Sequence, residues 1–86
     1  MYSVPASITM DNASQNLADL RRVVDGGETV VGLEALAHSD SSGLAVILAA
    51  IRYAQGAGKS LRVSGMPASM QSLAKLYGVD GLLSAA

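Results

Sequence analysis

The 86-residue sequence predicts one α/β domain with a mixed, mostly parallel β-sheet of three to four strands and about three helices packed over it. Two observations lead to this fold class. Short segments with strand character alternate with longer segments of helical spacing, and the connections between them are brief and rich in glycine. Strands that alternate with helices favour parallel pairing, because each helix carries the chain back across the sheet.

The first two elements are predicted from residues 4–27. Apolar and polar side chains alternate over residues 4–8, which is typical of a half-buried strand, and Pro5 favours an edge position because it cannot donate to a neighbour. A helix is expected after Asn12, with Gln15 in the capping-box position. Gly26 and Gly27 end it. Its apolar face carries Ala13, Leu17, Leu20 and Val24.

The middle of the chain contains the most hydrophobic elements. Residues 28–33 centre on a short β-branched run and predict a strand that is buried on both faces. A polar loop at residues 38–43 leads into the apolar segment 44–51. That segment is too long for an ordinary strand, so we expect a buried helix that ends between Gly56 and Gly58.

The last third of the chain predicts one more strand and helix. Residues 60–64 alternate and read as the third strand, and Pro67 is expected at the first position of the third helix. Gly78 is suited to the end of that helix. The predicted helix face consists of Met70, Leu73, Ala74 and Tyr77. An apolar tail, with Val79, Leu82 and Leu83, is expected either to pack beneath the helix or to add a short strand.

Composition excludes several classes of function. The net charge is −1, the six basic residues are scattered, and tyrosine supplies the only three aromatic side chains, so no nucleic-acid partner is expected. Arg21, Arg22 and Arg52 are interpreted as solvated charges. Without cysteine, and with one histidine, the chain is expected to hold neither a metal nor a cofactor.

The cellular setting is predicted from the same counts. The absence of cysteine favours a reducing compartment, hence the cytoplasm. The longest apolar stretch, residues 44–51, is far shorter than the roughly 20 residues that cross a bilayer, so no direct membrane insertion is expected.

The polar loop at residues 38–43 is the main candidate for function, because it precedes the N-terminus of the most hydrophobic helix. One interpretation is a helix cap, in which Asp40, Ser41 or Ser42 accepts hydrogen bonds from first-turn amides. Another is a contact or modifiable hydroxyl. A Ser42–His38–Asp40 triad is the enzymatic alternative, but its members lie within five residues, whereas triads usually draw them from separate elements. No catalytic residue is therefore predicted.

Three segments together resemble a known family. Residues 39–48 (SDSSGLAVIL), 57–65 (AGKSLRVSG) and 73–79 (LAKLYGV) are similar to STAS domains, which are named for sulfate transporters and anti-sigma factor antagonists. The third segment resembles the stand-alone MlaB type in particular. The resemblance implies one STAS-like domain over residues 1–86 in which the family's first strand is missing. Either the start is truncated or the sheet is one strand short, which would leave an open sheet edge near residues 2–8.

The resemblance also implies a function. MlaB-type proteins are non-catalytic cytoplasmic subunits that bind the ATPase of an ABC complex for phospholipid transport, which would place this chain peripherally at the inner membrane. The implied partner-binding residues are His38, Asp40, Ser41, Ser42, Gly43, Leu44 and Tyr77. The alternative is an anti-sigma factor antagonist, whose kinase-type partner would phosphorylate Ser42. Antagonists and MlaB-type proteins both usually carry an Asp at the end of the preceding strand, where this chain has Gly32 with Glu34 nearby.

Overall fold

The computed structural model describes residues 1–78 and confirms the α/β class. Its strands are β1 (Tyr2–Ser3), β2 (Ser7–Ile8), β3 (Val30–Gly32), β4 (His38–Ser39) and β5 (Arg62–Ser64). Its helices are α1 (Ala13–Asp25), α2 (Ser41–Gly56) and α3 (Ala68–Leu76). The predicted tail residues Val79, Leu82 and Leu83 lie outside the described residues.

The strands form two sheets, and every strand pair in them is parallel. β3 lies between β1 and β5 in a three-stranded sheet, and β2 pairs with β4. The predicted first strand is divided because Pro5 cannot donate to the ladder, and Val4 makes the last bond to β3, from its N–H to Gly32 O at 3.0 Å. Within residues 1–78, β1 pairs only with β3, so it lies at the predicted edge.

α1 and α2 cover one face of the three-stranded sheet. β1, β3 and β5 follow each other in one direction, so right-handed connections place α1 and α2 on the same side, where they pack against each other. The largest fully buried side chains are Ile8, Leu20, Val24, Val31, Leu33 and Ile47. Each contributes about 1.5–3 kcal/mol by leaving water. The core thus joins both sheets to α1 and α2.

Two predicted boundaries of the first helix have different outcomes. α1 begins after Asn12 as expected, but the capping box is wrong. The Asn12 side chain is held by the Thr9 N–H and the Ser7 carbonyl, so it cannot cap, and Gln15 donates to Asp19 at 3.0 Å instead. At the other end Gly27 has φ 96°, the left-handed conformation that the predicted glycine stop requires.

Three further predictions differ in detail. β3 is shorter than residues 28–33, and the Glu28 carboxylate before it accepts the N–H groups of Thr29 and Val30 at 3.1 and 3.3 Å. Residues 38–39 of the predicted loop form β4, and α2 begins at Ser41. Pro67 precedes α3 as its cap residue and is not its first helical residue.

Candidate functional site

The loop that leads into α2, together with the start of that helix, forms the serine loop, defined as residues 38–44. Asp40 is the helix cap, because its Oδ1 accepts the backbone N–H of Ser42 at 2.8 Å. This confirms the capping interpretation. A carboxylate at this position also lies at the positive end of the helix dipole, which stabilises its charged form.

Asp40 makes a second contact that ties the serine loop to a distant turn. Its Oδ2 accepts the backbone N–H of Met10 at 3.2 Å. Desolvation raises the pKa of Asp40, but the hydrogen bonds from Met10 and Ser42 outweigh it, so the pKa lies below the usual value of 3.8. The carboxylate is therefore ionised at neutral pH and links the two segments.

The turn on the other side of this link, residues 9–12, is held by hydrogen bonds of its own. The Asn12 side chain accepts the Thr9 N–H at 2.9 Å and donates to the Ser7 carbonyl at 3.0 Å. Met10 projects from this fixed turn with 79% of its surface exposed. Sequence reasoning missed Met10, since its only signal was an apolar residue in a polar turn.

Ser41 and Ser42 present their hydroxyl groups differently. Ser41 is exposed and Ser42 is half-buried. Consecutive residues of a helix point about 100° apart, so the two side chains leave the first turn of α2 in different directions. The structure therefore offers one hydroxyl to solvent and keeps the other close to the Asp40 cap.

Gly43 and Leu44 belong to the core side of the serine loop. A Cβ at Gly43 would lie 3.0 Å from Ser39 Cβ and 3.3 Å from Met70 Cε. Glycine therefore allows α2 to pack closely against β4 and α3. Leu44 is 2% exposed, so its side chain contacts the interior. Gly43 and Leu44 therefore set the position of the serine loop, and residues 38–41 form its exposed surface.

The two remaining predicted site residues, His38 and Tyr77, form none of the hydrogen bonds that hold Asp40 within residues 1–78. His38 is exposed on β4, and among residues 1–78 its side chain forms no hydrogen bond with Asp40 or Ser42, so the triad is not assembled. Tyr77 is 60% exposed at the end of α3 and does not join the predicted buried face. It lies about 10 Å along the axis from Met70, the α3 residue beside Gly43.

An acidic side chain lies at the end of β3 although the residue there is glycine. Glu34 Oε1 is 2.6 Å from where a Cβ of Gly32 would be. The Ser64 hydroxyl donates to Glu34 Oε2 at 3.0 Å, and Gly65 leaves further room beside the same side chain. Glu34, two residues after Gly32, thus places a carboxylate at the C-terminal end of β3.

Two negative findings concern the part of the chain that the structure describes. Residues 1–78 contain no group of three or more His, Cys, Asp or Glu side chains arranged to hold a metal ion. No helix in that range has the length and apolar character to cross a membrane.

Comparison with protein-family models gives a match over most of the sequence. The family model described as "Mlab, STAS domain" matches residues 3–84, nearly the whole chain. No curated protein matches the sequence.

Proposed function

Because this chain belongs to the MlaB-type STAS domain family, we propose that it is a non-catalytic protein-binding module that docks on the ATPase subunit of a phospholipid-transport ABC complex. The observation that carries the proposal is the Asp40 link. One carboxylate fixes both the first turn of α2 and the turn that presents Met10.

The proposed docking surface consists of Ser41, Ser42, His38 and Met10 around Asp40. Its backbone is held by hydrogen bonds before a partner arrives, so binding orders few additional groups and loses little entropy. Met10 supplies a flexible apolar contact that adapts to a partner surface, and Ser41 supplies a polar one. Gly43 and Leu44 act from below by setting the position of the loop.

α3 is proposed as a second area of contact with the same partner. The segment 73–79 carries the resemblance to MlaB-type proteins, and the structure describes it up to residue 78. Leu76 and Tyr77 are 77% and 60% exposed there. Exposed apolar side chains of this size are common at protein interfaces. Binding at both areas would regulate the ATPase by favouring one of its conformations, and it would hold the chain in the cytoplasm at the inner membrane.

The alternative function is an anti-sigma factor antagonist that is switched by phosphorylation of Ser42. Two observations favour keeping it. Ser42 is next to the Asp40 carboxylate, so a phosphate with a charge of about −1.5 to −2 would repel the cap and disturb the link to Met10. Glu34 also places a carboxylate at the end of β3, where the family usually has an Asp.

The first experiment measures binding of the purified chain to the ATPase encoded beside its gene, by isothermal titration calorimetry. Ser41→Glu is expected to weaken binding at least about tenfold, and Met10→Ala about fivefold. Ser60→Glu is the matched control, because Ser60 is exposed in the segment before β5 and is no part of the docking surface. If all variants bind like the unchanged chain, the serine loop is not the docking site.

The second experiment separates the alternative function. The chain is incubated with the serine kinase from the same gene neighbourhood, and the modified residue is identified by mass spectrometry. Phosphate on Ser42, together with loss of binding to the kinase, would support the antagonist. An unmodified Ser42 would exclude the switch.

A further inference from the structure

We propose that a groove between α1 and α2 binds an acidic amphipathic helix of a protein partner. This α1–α2 groove is lined by Arg21, Ala45, Leu48, Ala49, Arg52 and Tyr53. It goes beyond the docking surface above, since none of its residues belongs to the serine loop. Its shape, its charge and its place on α2 each support the proposal.

The floor of the groove is small and apolar. Ala45, Leu48 and Ala49 lie at spacings of three and four residues, so they form one stripe on the solvent side of α2. Two alanines in such a stripe allow the backbone of another helix to approach closely. From Ala45 to Tyr53 the stripe is about 12 Å long, which matches roughly two turns of a partner helix.

Two cations flank this floor. Arg21 lies over the ring of Tyr53, with 5.4 Å from its Cζ to the ring centroid, and Arg52 is exposed on α2. Among residues 1–78 neither arginine forms an ion pair. The Asp25 carboxylate, beside Tyr53, accepts a hydrogen bond from the Tyr53 hydroxyl at 2.7 Å. Two guanidinium groups thus remain for carboxylates of a partner, which they bind with two parallel hydrogen bonds each.

The same features favour a protein helix over an anionic membrane. Surface attraction to anionic lipids amounts to about 1 kcal/mol per basic residue and usually involves clusters of 4–8 of them. The groove has two arginines, and its aliphatic part consists of Ala45, Ala49 and the half-buried Leu48. A helix with apolar side chains on one face and Asp or Glu at its borders complements both the stripe and the charges.

The position of the groove makes it independent of the docking surface but continuous with it. Ala45 follows Ser41 by one helical turn, so a partner that contacts the serine loop can extend along α2. The groove itself depends on pairing of α1 with α2, whereas the serine loop depends on Asp40. Variants of one site therefore leave the other in place.

The test is an NMR titration of the ¹⁵N-labelled chain with a designed amphipathic peptide of about 16 residues, with Leu and Ala on one face and Glu at both borders. Shifts are expected at the amides of residues 45–53 and of the second half of α1. The Arg21→Glu/Arg52→Glu double variant is expected to weaken binding at least tenfold. Arg22→Glu is the matched control, because Arg22 is next to Arg21 on α1, carries the same charge and does not line the groove.

Each outcome decides the question. Arg52→Glu alone, in a side chain with no ion pair among residues 1–78, is expected to weaken binding about fivefold and serves if the double variant unfolds. Unchanged binding of the peptide by Ser41→Glu supports a site separate from the serine loop. No shifts at about 1 mM peptide, or equal shifts with Lys in place of Glu, would overturn the proposal. The proposal would also be overturned if the peptide produced no such shifts but phosphatidylglycerol vesicles did. The same holds if the shifts appeared only when the concentration of the chain itself was raised.

Discussion

The two ends of α2 present their functional groups by different means. At its N-terminus the serine loop is fixed by backbone N–H groups that converge on one carboxylate, Asp40. Toward its C-terminus the α1–α2 groove is formed by side chains, with Arg21 over Tyr53 and Tyr53 bonded to Asp25. Backbone hydrogen bonds fix atoms within a narrow range, whereas exposed side-chain contacts contribute little and rearrange readily. The first region is therefore suited to a defined docking geometry and the second to an adaptable one.

The serine loop and the α1–α2 groove should therefore differ in how strongly mutations affect the stability of the fold. Changes beneath or within the serine loop should cost stability as well as binding, because its atoms also belong to the helix cap and the core. Changes in the groove should affect binding and leave the fold nearly unaltered, since its residues lie on the surface of an already paired α1 and α2.

The largest effect is expected from Gly43→Val. The added side chain would meet Ser39 Cβ, Met70 and the Ile8 carbonyl within about 3.4 Å, so α2 has to move away from β4 and α3. We expect a loss of about 2 kcal/mol of unfolding free energy, measured by urea denaturation. Gly56→Val is the control in the same helix, since a Cβ there meets nothing within 4 Å. Equal losses in both variants would contradict the close packing at Gly43.

The next effect separates the two bonds of Asp40. Asp40→Ala removes both the cap and the link to Met10, and we expect Tm to fall by about 5 °C. Asp40→Asn keeps one carbonyl oxygen, which can still accept the Ser42 N–H, but its amide group cannot accept from Met10. The Tm of Asp40→Asn should stay close to that of the unchanged chain, whereas its binding to the ATPase should be weaker. If Asn binds like Asp, the link to Met10 has no role in docking.

The elements that could be predicted from the sequence are those that depend on neighbours along the chain. Spacing of apolar residues predicted all three helices, and Pro5 predicted the edge strand, because these signals are local. The Asp40 cap was among the predicted alternatives for the same reason. β4 was not predicted, since a two-residue polar segment becomes a strand only by pairing with β2.

Parts of the candidate site were beyond sequence reasoning because they join residues far apart in the chain. The Asp40–Met10 bond spans 30 positions, and the capping box failed because Asn12 is engaged by Ser7 and Thr9. Arg21 and Arg52, interpreted separately as solvated charges, flank one groove only after α1 and α2 pair. Periodicity shows which face of a helix is buried but not which exposed side chains of two helices meet.

A smaller effect concerns acid. The pKa of Asp40 lies below the usual value of 3.8, so its contribution to stability is complete above pH 3.8 and is lost as the pH falls through the lower folded-state pKa. Asp40→Asn should therefore make the loss of Tm toward acid pH less steep than in the unchanged chain. Asp40→Ala is the control, because it also lacks the carboxylate that accepts from Met10 and Ser42. Identical slopes for the unchanged chain and Asp40→Asn would show that the link carries no proton-linked stability.

The smallest effect should come from Tyr53→Phe, which tests the adaptable side of the comparison. Its hydrogen bond to Asp25 raises the pKa of Tyr53 above its usual value of 10.0, but this contact is exposed and should shift Tm by less than about 2 °C. The phenyl ring still supports Arg21, so the acidic peptide should bind with nearly unchanged affinity. Tyr53→Ala removes that support and should weaken binding of the acidic peptide several-fold. Binding of the ATPase at the serine loop should persist. Loss of both activities in Tyr53→Ala would mean that the groove and the serine loop form one site, and the contrast between the two ends of α2 would then fail.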